Sequence, residues 1–313
     1  MRKVIYKQFG DESVLELVEQ AVPTPKQNQV LIRVKAVSIN PLDWKVYGGE
    51  MKLMSGSKFP KAVGIDFAGV VESSGSLATR YKAGDEVLGL LDVFKGGALA
   101  DYVVVQETDI ALKPGNSSFE EAAALPLTGL SALQIIDKLA AVGKNQEVLI
   151  NGATGGIGVF AVQLAKKRGA IVTAVVGTEG VAQAKQWGAD TVLDYTRQDI
   201  QRLDQRFDAV IDLSTKLSFK AAKKLMKSRA VFITTLAAPV TLVRSFFNNL
   251  FSSRKLKVLI VKPSAEGLQT LAKLAEKDLQ IVLAKTYSIN QVREAYRETS
   301  RGRTIGKSVI VLD

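Results

Sequence analysis

The chain contains no cysteine and no histidine among its 313 residues. Without cysteine there is no disulfide, no thiolate nucleophile and no sulfur ligand for a metal. Without histidine the commonest metal ligand is missing too. Zinc sites draw mainly on these two residue types, so no metal site is expected. A magnesium site made of carboxylates alone would need clustered Asp and Glu, and no such cluster stands out. Proton transfer is left to Lys, Tyr, carboxylates, water and the hydroxyls of any bound ligand. Also absent is a run of about 18 uncharged apolar residues, the length a membrane span needs. Met1 to Lys7 pass straight into a strand-like pattern with no apolar leader core, so a cytoplasmic protein is expected.

What is present describes a folded chain long enough for one large or two ordinary domains. Hydrophobic residues make up 47% of it, which supplies a core and excludes disorder. Lys and Arg number 42 against 31 Asp and Glu, a net charge of +11. Such an excess suits phosphate-bearing ligands, nucleic acid or an anionic membrane surface. The basic residues read as spread along the chain, with no RNA-binding motif, so a generally basic, solvated surface is expected.

The first 120 or so residues read as β structure. Val30 to Val37 alternates apolar and polar side chains, as a half-buried strand does. Gly64 to Glu72 is strand-like with glycines that imply a bend or a close backbone contact. Lys82 to Gly89 reads as a turn and strand, and Ala98 to Val105 as a further strand. Short strands separated by Gly and Pro turns suggest a barrel-like domain. The pattern changes near Ser118. Phe119–Leu125 and Gly129–Leu139 have helical spacing, and strand and helix then alternate through Val148–Ile150, Ile171–Val176, Thr191–Leu193, Ala209–Ile211 and Ala230–Ile233. That alternation implies a doubly wound parallel sheet. A strand over Val258–Val261, an amphipathic helix over 264–277 and a closing strand over Gly306–Leu312 follow, the tail returning to the first domain. Thr241 to Lys257 has Leu and Phe at helical spacing with basic ends. It fits a membrane-surface helix, but a helix covering an apolar pocket or a subunit contact is the expected reading.

The most informative stretch is Val148 to Lys166: an apolar strand, the turn Gly152-Ala153-Thr154-Gly155-Gly156-Ile157-Gly158, and an amphipathic helix. Glycines there let a backbone approach a dinucleotide pyrophosphate, and the free N–H groups of the helix N-terminus take up its charge. Gly155, Gly156 and Ile157 are expected to present those N–H groups. Ala153 stands where the first glycine of a G-x-G-x-x-G turn usually falls. An Asp or Glu ending the second strand would select NAD. Val176, Gly177 and Thr178 stand there instead, which favours NADP, while Glu179 opposes a 2′-phosphate if it points inward.

Several ordered motifs then carry a resemblance. Asn40-Pro41-Leu42-Asp43-Trp44-Lys45, Gly64 to Val71 with Asp66, Ala122 to Ala132, Gly188-Ala189-Asp190 and Leu193-Asp194-Tyr195 together resemble the zinc-free quinone oxidoreductases of the medium-chain dehydrogenase/reductase superfamily. The likeness is nearest to the branch holding the chloroplast-envelope quinone oxidoreductase homologue and plant enone reductases. It implies an α/β protein with a GroES-like β-barrel catalytic domain (1–122 and 263–313), a Rossmann doubly wound parallel-sheet domain (123–262) and an active site in the cleft between them. It implies NADP(H) as cofactor, a small quinone or enone as substrate, and a homodimer or higher homo-oligomer. Thr178 is placed as a donor to the 2′-phosphate, Tyr195 beside the adenosine phosphate and Thr128 near the nicotinamide. Leu213 and Leu236, which follow later strands, complete the candidate cofactor set. Lys45 and Asn40 are placed at the reacting end, Tyr47 is a weaker proton donor, and Asp43 supports the turn or pairs with a nearby base. A ketone needs strong polarisation, which a metal often supplies. Without one, conjugated enones and quinones are the favoured acceptors. An enoyl-thioester reductase, or a non-catalytic NADPH-binding protein on RNA or membrane, is the alternative.

Overall fold

The structure, a computed structural model, describes residues 1–302 and 304–312. The chain forms two compact units, Met1–Leu127 with Pro263–Asp313, and Thr128–Lys262. The chain passes to the second unit after Leu127, later than the sequence pattern suggests, because the helix around Pro126 straddles the boundary.

The first unit opens with β1 (Arg2–Tyr6), β2 (Glu16–Glu19) and β3 (Gln29–Ser38). Helices α1 (Pro41–Tyr47) and α2 (Lys52–Ser55) follow, then β4 (Lys61–Ala62), β5 (Asp66–Ser74), β6 (Glu86–Leu90), β7 (Tyr102–Gln106), β8 (Ile110–Leu112) and α3 (Phe119–Ala123). Next come α4 (Pro126–Leu133), β9 (Glu147–Asn151), α5 (Gly156–Lys167), β10 (Ile171–Val176), α6 (Val181–Gln186), β11 (Thr191–Asp194) and β12 (Phe207–Asp212). The second unit ends with α7 (Phe219–Ala222), β13 (Met226–Thr234), α8 (Pro239–Phe251) and β14 (Lys255–Val258). Then α9 (Ala265–Ala275), β15 (Leu283–Ser288), α10 (Val292–Ser300) and β16 (Lys307–Val311) return to the first unit.

In the first unit, a seven-stranded sheet runs β15-β16-β3-β5-β6-β8, with β7 also paired to β3, and β2-β1-β4 form a small second sheet. Strand β3 is central. Val30, Leu31, Ile32, Val34 and Ala36 to Ser38 are buried and only Arg33 is exposed, so the strand is covered on both faces over most of its length, more than its apolar–polar alternation suggests. Gly69 lies opposite Val34, and a Cβ there would run into the Arg33 carbonyl. The close backbone approach implied by that glycine is therefore real. Ala98–Asp101 is not part of β7. It is a turn whose Ala100 bridges Lys3.

The second unit is a six-stranded parallel sheet, β11-β10-β9-β12-β13-β14. The chain winds outward from β9 through β10 to β11, then restarts beside β9 at β12 and winds the other way. The crevice beyond the carboxyl ends of β9 and β12 is thus the point where strand order reverses. The last strand lies three residues earlier than the apolar run Val258–Val261 suggests. Leu256, flanked by Lys255 and Lys257, is the residue that enters the core.

Candidate cofactor and active-site residues

At the reversal point, β9 ends in Asn151 and the chain turns sharply. Gly152 has φ +85°, a left-handed conformation that L side chains rarely adopt. The N–H groups of Gly152 and Ala153 both donate to Val175 C=O at 3.1 Å, tying the turn to β10. Gly158 is buried against this turn, where a Cβ would stand 2.5 Å from the Ala153 backbone. A side chain at 158 would push helix and turn apart. Helix α5 has no side-chain cap, and its first bond back is Val159 N–H to Gly155 C=O at 3.0 Å. The N–H groups of Gly156, Ile157 and Gly158 are left pointing out of the helix end, with the partial positive charge that attracts phosphate. Two expectations need correction. Gly155 does not offer its N–H, which donates to Gly152 C=O at 3.2 Å. Ala153 is fully buried with its N–H spent, so it shapes the turn without facing a ligand. Thr154 is half-buried in the turn, its methyl packed where a Cβ on Gly180 would collide.

The other candidates follow successive strands along the same edge. Leu213 follows β12, its N–H bonded to Asn151 C=O at 2.9 Å, and Leu236 follows β13, half exposed. Tyr195 follows β11, 60% exposed, and its ring packs on Gly177 after β10. Thr128 is buried on α4. Thr178 departs from expectation: its one hydroxyl proton goes to Asp194 Oδ2 at 2.7 Å, with Thr196 Oγ1 at 3.0 Å. The parallel register sets Val176 beside Asp194, which brings the two residues together. Bonds from Thr178 and Thr196, with Arg197 at 3.5 Å, hold the Asp194 carboxyl below its ordinary range. In this arrangement Thr178 cannot donate to a phosphate, and Arg197 is the cation at hand. Glu179 is exposed.

Sequence reasoning passed over Asp212. It is fully buried and accepts from Asn151 Nδ2 at 2.9 Å, Ser214 Oγ at 2.6 Å and Leu217 N–H at 3.2 Å. These bonds brace the ends of β9 and β12 directly under the turn.

In the first unit, Asn40 caps α1 and Pro41 occupies its first turn, where a missing N–H costs nothing. Asn40 is 0% exposed. Its Nδ2 donates to Asp66 Oδ2 at 3.0 Å, and its Oδ1 accepts from Lys307 Nζ. Lys307 also donates to Ile39 C=O at 2.6 Å, and Ser38 Oγ to Asp66 at 2.6 Å. Asp66 Oδ1 accepts the Leu127 N–H at 3.1 Å. Asp43 accepts from Asn40 N–H at 2.9 Å and Tyr296 OH at 3.0 Å, so it supports the turn as expected. Burial pushes Asp43 up to about 7 and raises Asp66, while Lys307, buried between them, is pushed down against the pull of both carboxylates.

This network corrects two catalytic assignments. Asn40 is fully buried, with its amide spent on Ser38 C=O, Asp66 and Lys307. Tyr47 is 3% exposed, its ring edge-on to Tyr6 and Tyr296, and burial raises its hydroxyl well above the ordinary tyrosine value. It is a core aromatic. Lys45 differs: it is half-buried, and among the described residues its ammonium has no ion pair or hydrogen bond.

Residues 26–115 match the alcohol dehydrogenase GroES-like domain, and residues 187–310 match a domain described as zinc-binding dehydrogenase. The chain is 32% identical to the chloroplast envelope quinone oxidoreductase homolog of Arabidopsis thaliana, over 99% of this chain and 98% of that one. It is 35% identical to the 2-methylene-furan-3-one reductase of Solanum lycopersicum, over 99% of this chain and 79% of that one. The chain belongs to the medium-chain dehydrogenase/reductase superfamily, among its quinone oxidoreductase homologues. The solved quinone oxidoreductase of Coxiella burnetii superposes with a TM-score of 0.90 at 29% identity, covering 100% of this chain and 99% of that one. The two units are accordingly the GroES-like and Rossmann domains of this superfamily.

One feature of the matched domain does not carry over. A zinc site needs ligands, and this member has neither Cys nor His. Among the described residues no group of three or more carboxylates could hold a metal ion. The residues present do not fit zinc.

Proposed function

We propose that the protein is an NADPH-dependent reductase of quinones and α,β-unsaturated carbonyls that works without a metal. The observation that carries this reading is the uncapped N-terminus of α5, entered over Gly152 and Gly158 at the reversal point of the parallel sheet. The full-length likeness to quinone and enone reductases supports it.

The N–H groups of Gly156, Ile157 and Gly158 bind the diphosphate. Tyr195, exposed against Gly177, flanks the adenosine end, and Arg197 is the cation available to a 2′-phosphate. Leu213 and Leu236 line the strand ends that orient the nucleotide, and Thr128 stands toward its nicotinamide end. NADPH, when bound, supplies the hydride. Lys45 is the donor to the oxygen of the substrate, where negative charge develops as a conjugated acceptor is reduced. One such donor is worth about 3–4 kcal/mol of barrier. Asn40, Asp43, Asp66 and Lys307 are positioning residues that fix the start of α1 and so the direction in which Lys45 leaves it.

The test is NADPH oxidation across short enals, cyclic enones and quinones. Turnover is expected on at least one conjugated class, with simple ketones inert. Lys45→Ala is expected to lower kcat about 100-fold or more while leaving NADPH affinity within a few-fold. Equal turnover of wild type and variant removes Lys45 from the reaction, and no turnover on any class overturns the proposal.

A further inference from the structure

The loop that follows β12, residues 213–217, is fastened to the glycine turn. Leu213 N–H donates to Asn151 C=O at 2.9 Å, Asn151 Nδ2 donates to Ser214 Oγ at 2.9 Å, and a Cβ on Gly152 would stand 3.2 Å from the Ser214 nitrogen. Ser214 Oγ donates to Asp212 at 2.6 Å and accepts the Lys216 N–H at 3.1 Å, which bends the loop back on itself.

Thr215 lies in that bend with φ +61°. The left-handed region is costly for a β-branched residue, whereas glycine enters it freely. Strain of this kind gathers at ligand sites. The fold makes no use of the side chain: Thr215 is exposed and, among the described residues, its hydroxyl has no partner. Lys216 comes next, also exposed, its ammonium without ion pair or hydrogen bond among the described residues. The carboxylate nearest in sequence, Asp212, is buried and committed to Asn151, Ser214 and Leu217. Beyond the loop there is none for fifty residues. Residues 213–262 hold eleven Lys and Arg and not one Asp or Glu, while the rest of the chain balances at 31 basic against 31 acidic residues. Lys216 is the first cation of that basic segment.

Position decides the ligand. Strand β12 flanks β9 on the side away from β10 and β11, whose ends carry Tyr195 and Arg197. A dinucleotide with its adenosine at Tyr195 and its diphosphate on the N–H groups of α5 extends its nicotinamide half past β12. We propose that the Thr215 hydroxyl and the Lys216 ammonium form a second arm of the diphosphate site, holding the phosphate on the nicotinamide side. The assignment rests on the cofactor reading above. The end of α5 offers only partial positive charge, and Lys216 adds a full one from the opposite wall, with Thr215 as a neutral donor beside it.

The test reads binding rather than turnover. Full-length protein is titrated with NADPH and with NADH by cofactor fluorescence, and melted without ligand. Lys216→Ala is expected to weaken both cofactors about tenfold, because both carry the diphosphate, and to leave the melting temperature in place. Arg197→Ala is expected to weaken NADPH alone. Thr215→Gly is expected to raise the melting temperature by about 2–4 °C as strain is released, while weakening both cofactors about threefold. Thr215→Ser keeps the hydroxyl and is expected to bind within about twofold of wild type. Lys220, an exposed cation on α7, controls for the general field of the basic segment, and Lys220→Ala is expected to change neither affinity. A Lys216→Ala variant that binds like wild type, that loses NADPH alone, or that loses no more than Lys220→Ala overturns the proposal, as does a Thr215→Gly variant that melts lower. If the wild type binds neither cofactor, the cofactor reading falls and the proposal falls with it.

Discussion

Helices α5 and α8 are nearly equal in length, both rich in apolar residues and both packed on the same parallel sheet, yet they sit in opposite senses. Helix α5 buries eight consecutive residues from Gly158 to Ala165, and its one buried polar side chain, Gln163, satisfies itself on Val159 C=O at 3.0 Å. Helix α8 buries none. The difference comes from where each helix lies. Helix α5 packs on β9 and β10, interior strands whose backbone groups are already paired, so it brings apolar side chains. Helix α8 covers β14, an edge strand with free backbone groups. Ser245, Asn248 and Asn249 answer that need, and their spacing turns the apolar residues outward. Amphipathicity alone does not say which face of a helix is buried; the unmet hydrogen bonds of the neighbour decide it.

The largest effect should come from the conventional helix. Phe160→Ala removes a fully buried ring, and denaturant unfolding should show a loss of about 3–5 kcal/mol. A cost under about 1 kcal/mol would mean that α5 is not packed as described.

The buried charges of the GroES-like domain give the second contrast, since there polar groups are interior without an edge strand to serve. Asp43 is raised from an ordinary 3.8 to about 7 by burial. The folded state therefore holds its proton longer than the unfolded one, and the stability this contributes is complete below 3.8 and lost as pH rises through about 7. Asp66, also raised, acts in the same direction. Lys307 is lowered, so its contribution is complete above the ordinary lysine value and lost as pH falls through its lowered one. Asp43→Asn, which keeps an acceptor for Asn40 and Tyr296, should flatten the decline in stability between pH 4 and 7. An unchanged slope in urea melts across that range would show that Asp43 is ionised throughout.

Asn249→Ala should cost about 1–2 kcal/mol, because it leaves both backbone groups of Leu256 without their partner. The smallest effect is expected at Phe247→Ser, within about 0.5 kcal/mol of wild type. If Phe247→Ser costs as much as Phe160→Ala in the same melts, the two helices do not differ in the way their exposure shows.

Much of the fold was open to reading. The glycine turn, the alternation of strands and helices after Ser118 and the strand glycine at 69 each followed from a local constraint. What escaped reading was long-range or averaged. Asn40 and Tyr47 stand inside a recognisable motif, but Lys307, which spends the Asn40 amide, is 267 residues away. Thr178 looked available because its partner Asp194 arrives only through the β10–β11 register. The basic segment was readable and was missed, because a net charge summed over the whole chain hides a run of fifty residues without an acid. Counting Asp and Glu along the chain would have found it.

The central claim is that the reduction this chain carries out proceeds with NADPH and without a metal. The measurement is the rate of NADPH oxidation with a conjugated enone or quinone, taken before and after exhaustive dialysis against a strong chelator. The account predicts the same rate in both, and no gain on adding zinc. A rate lost on chelation and restored by zinc would contradict it.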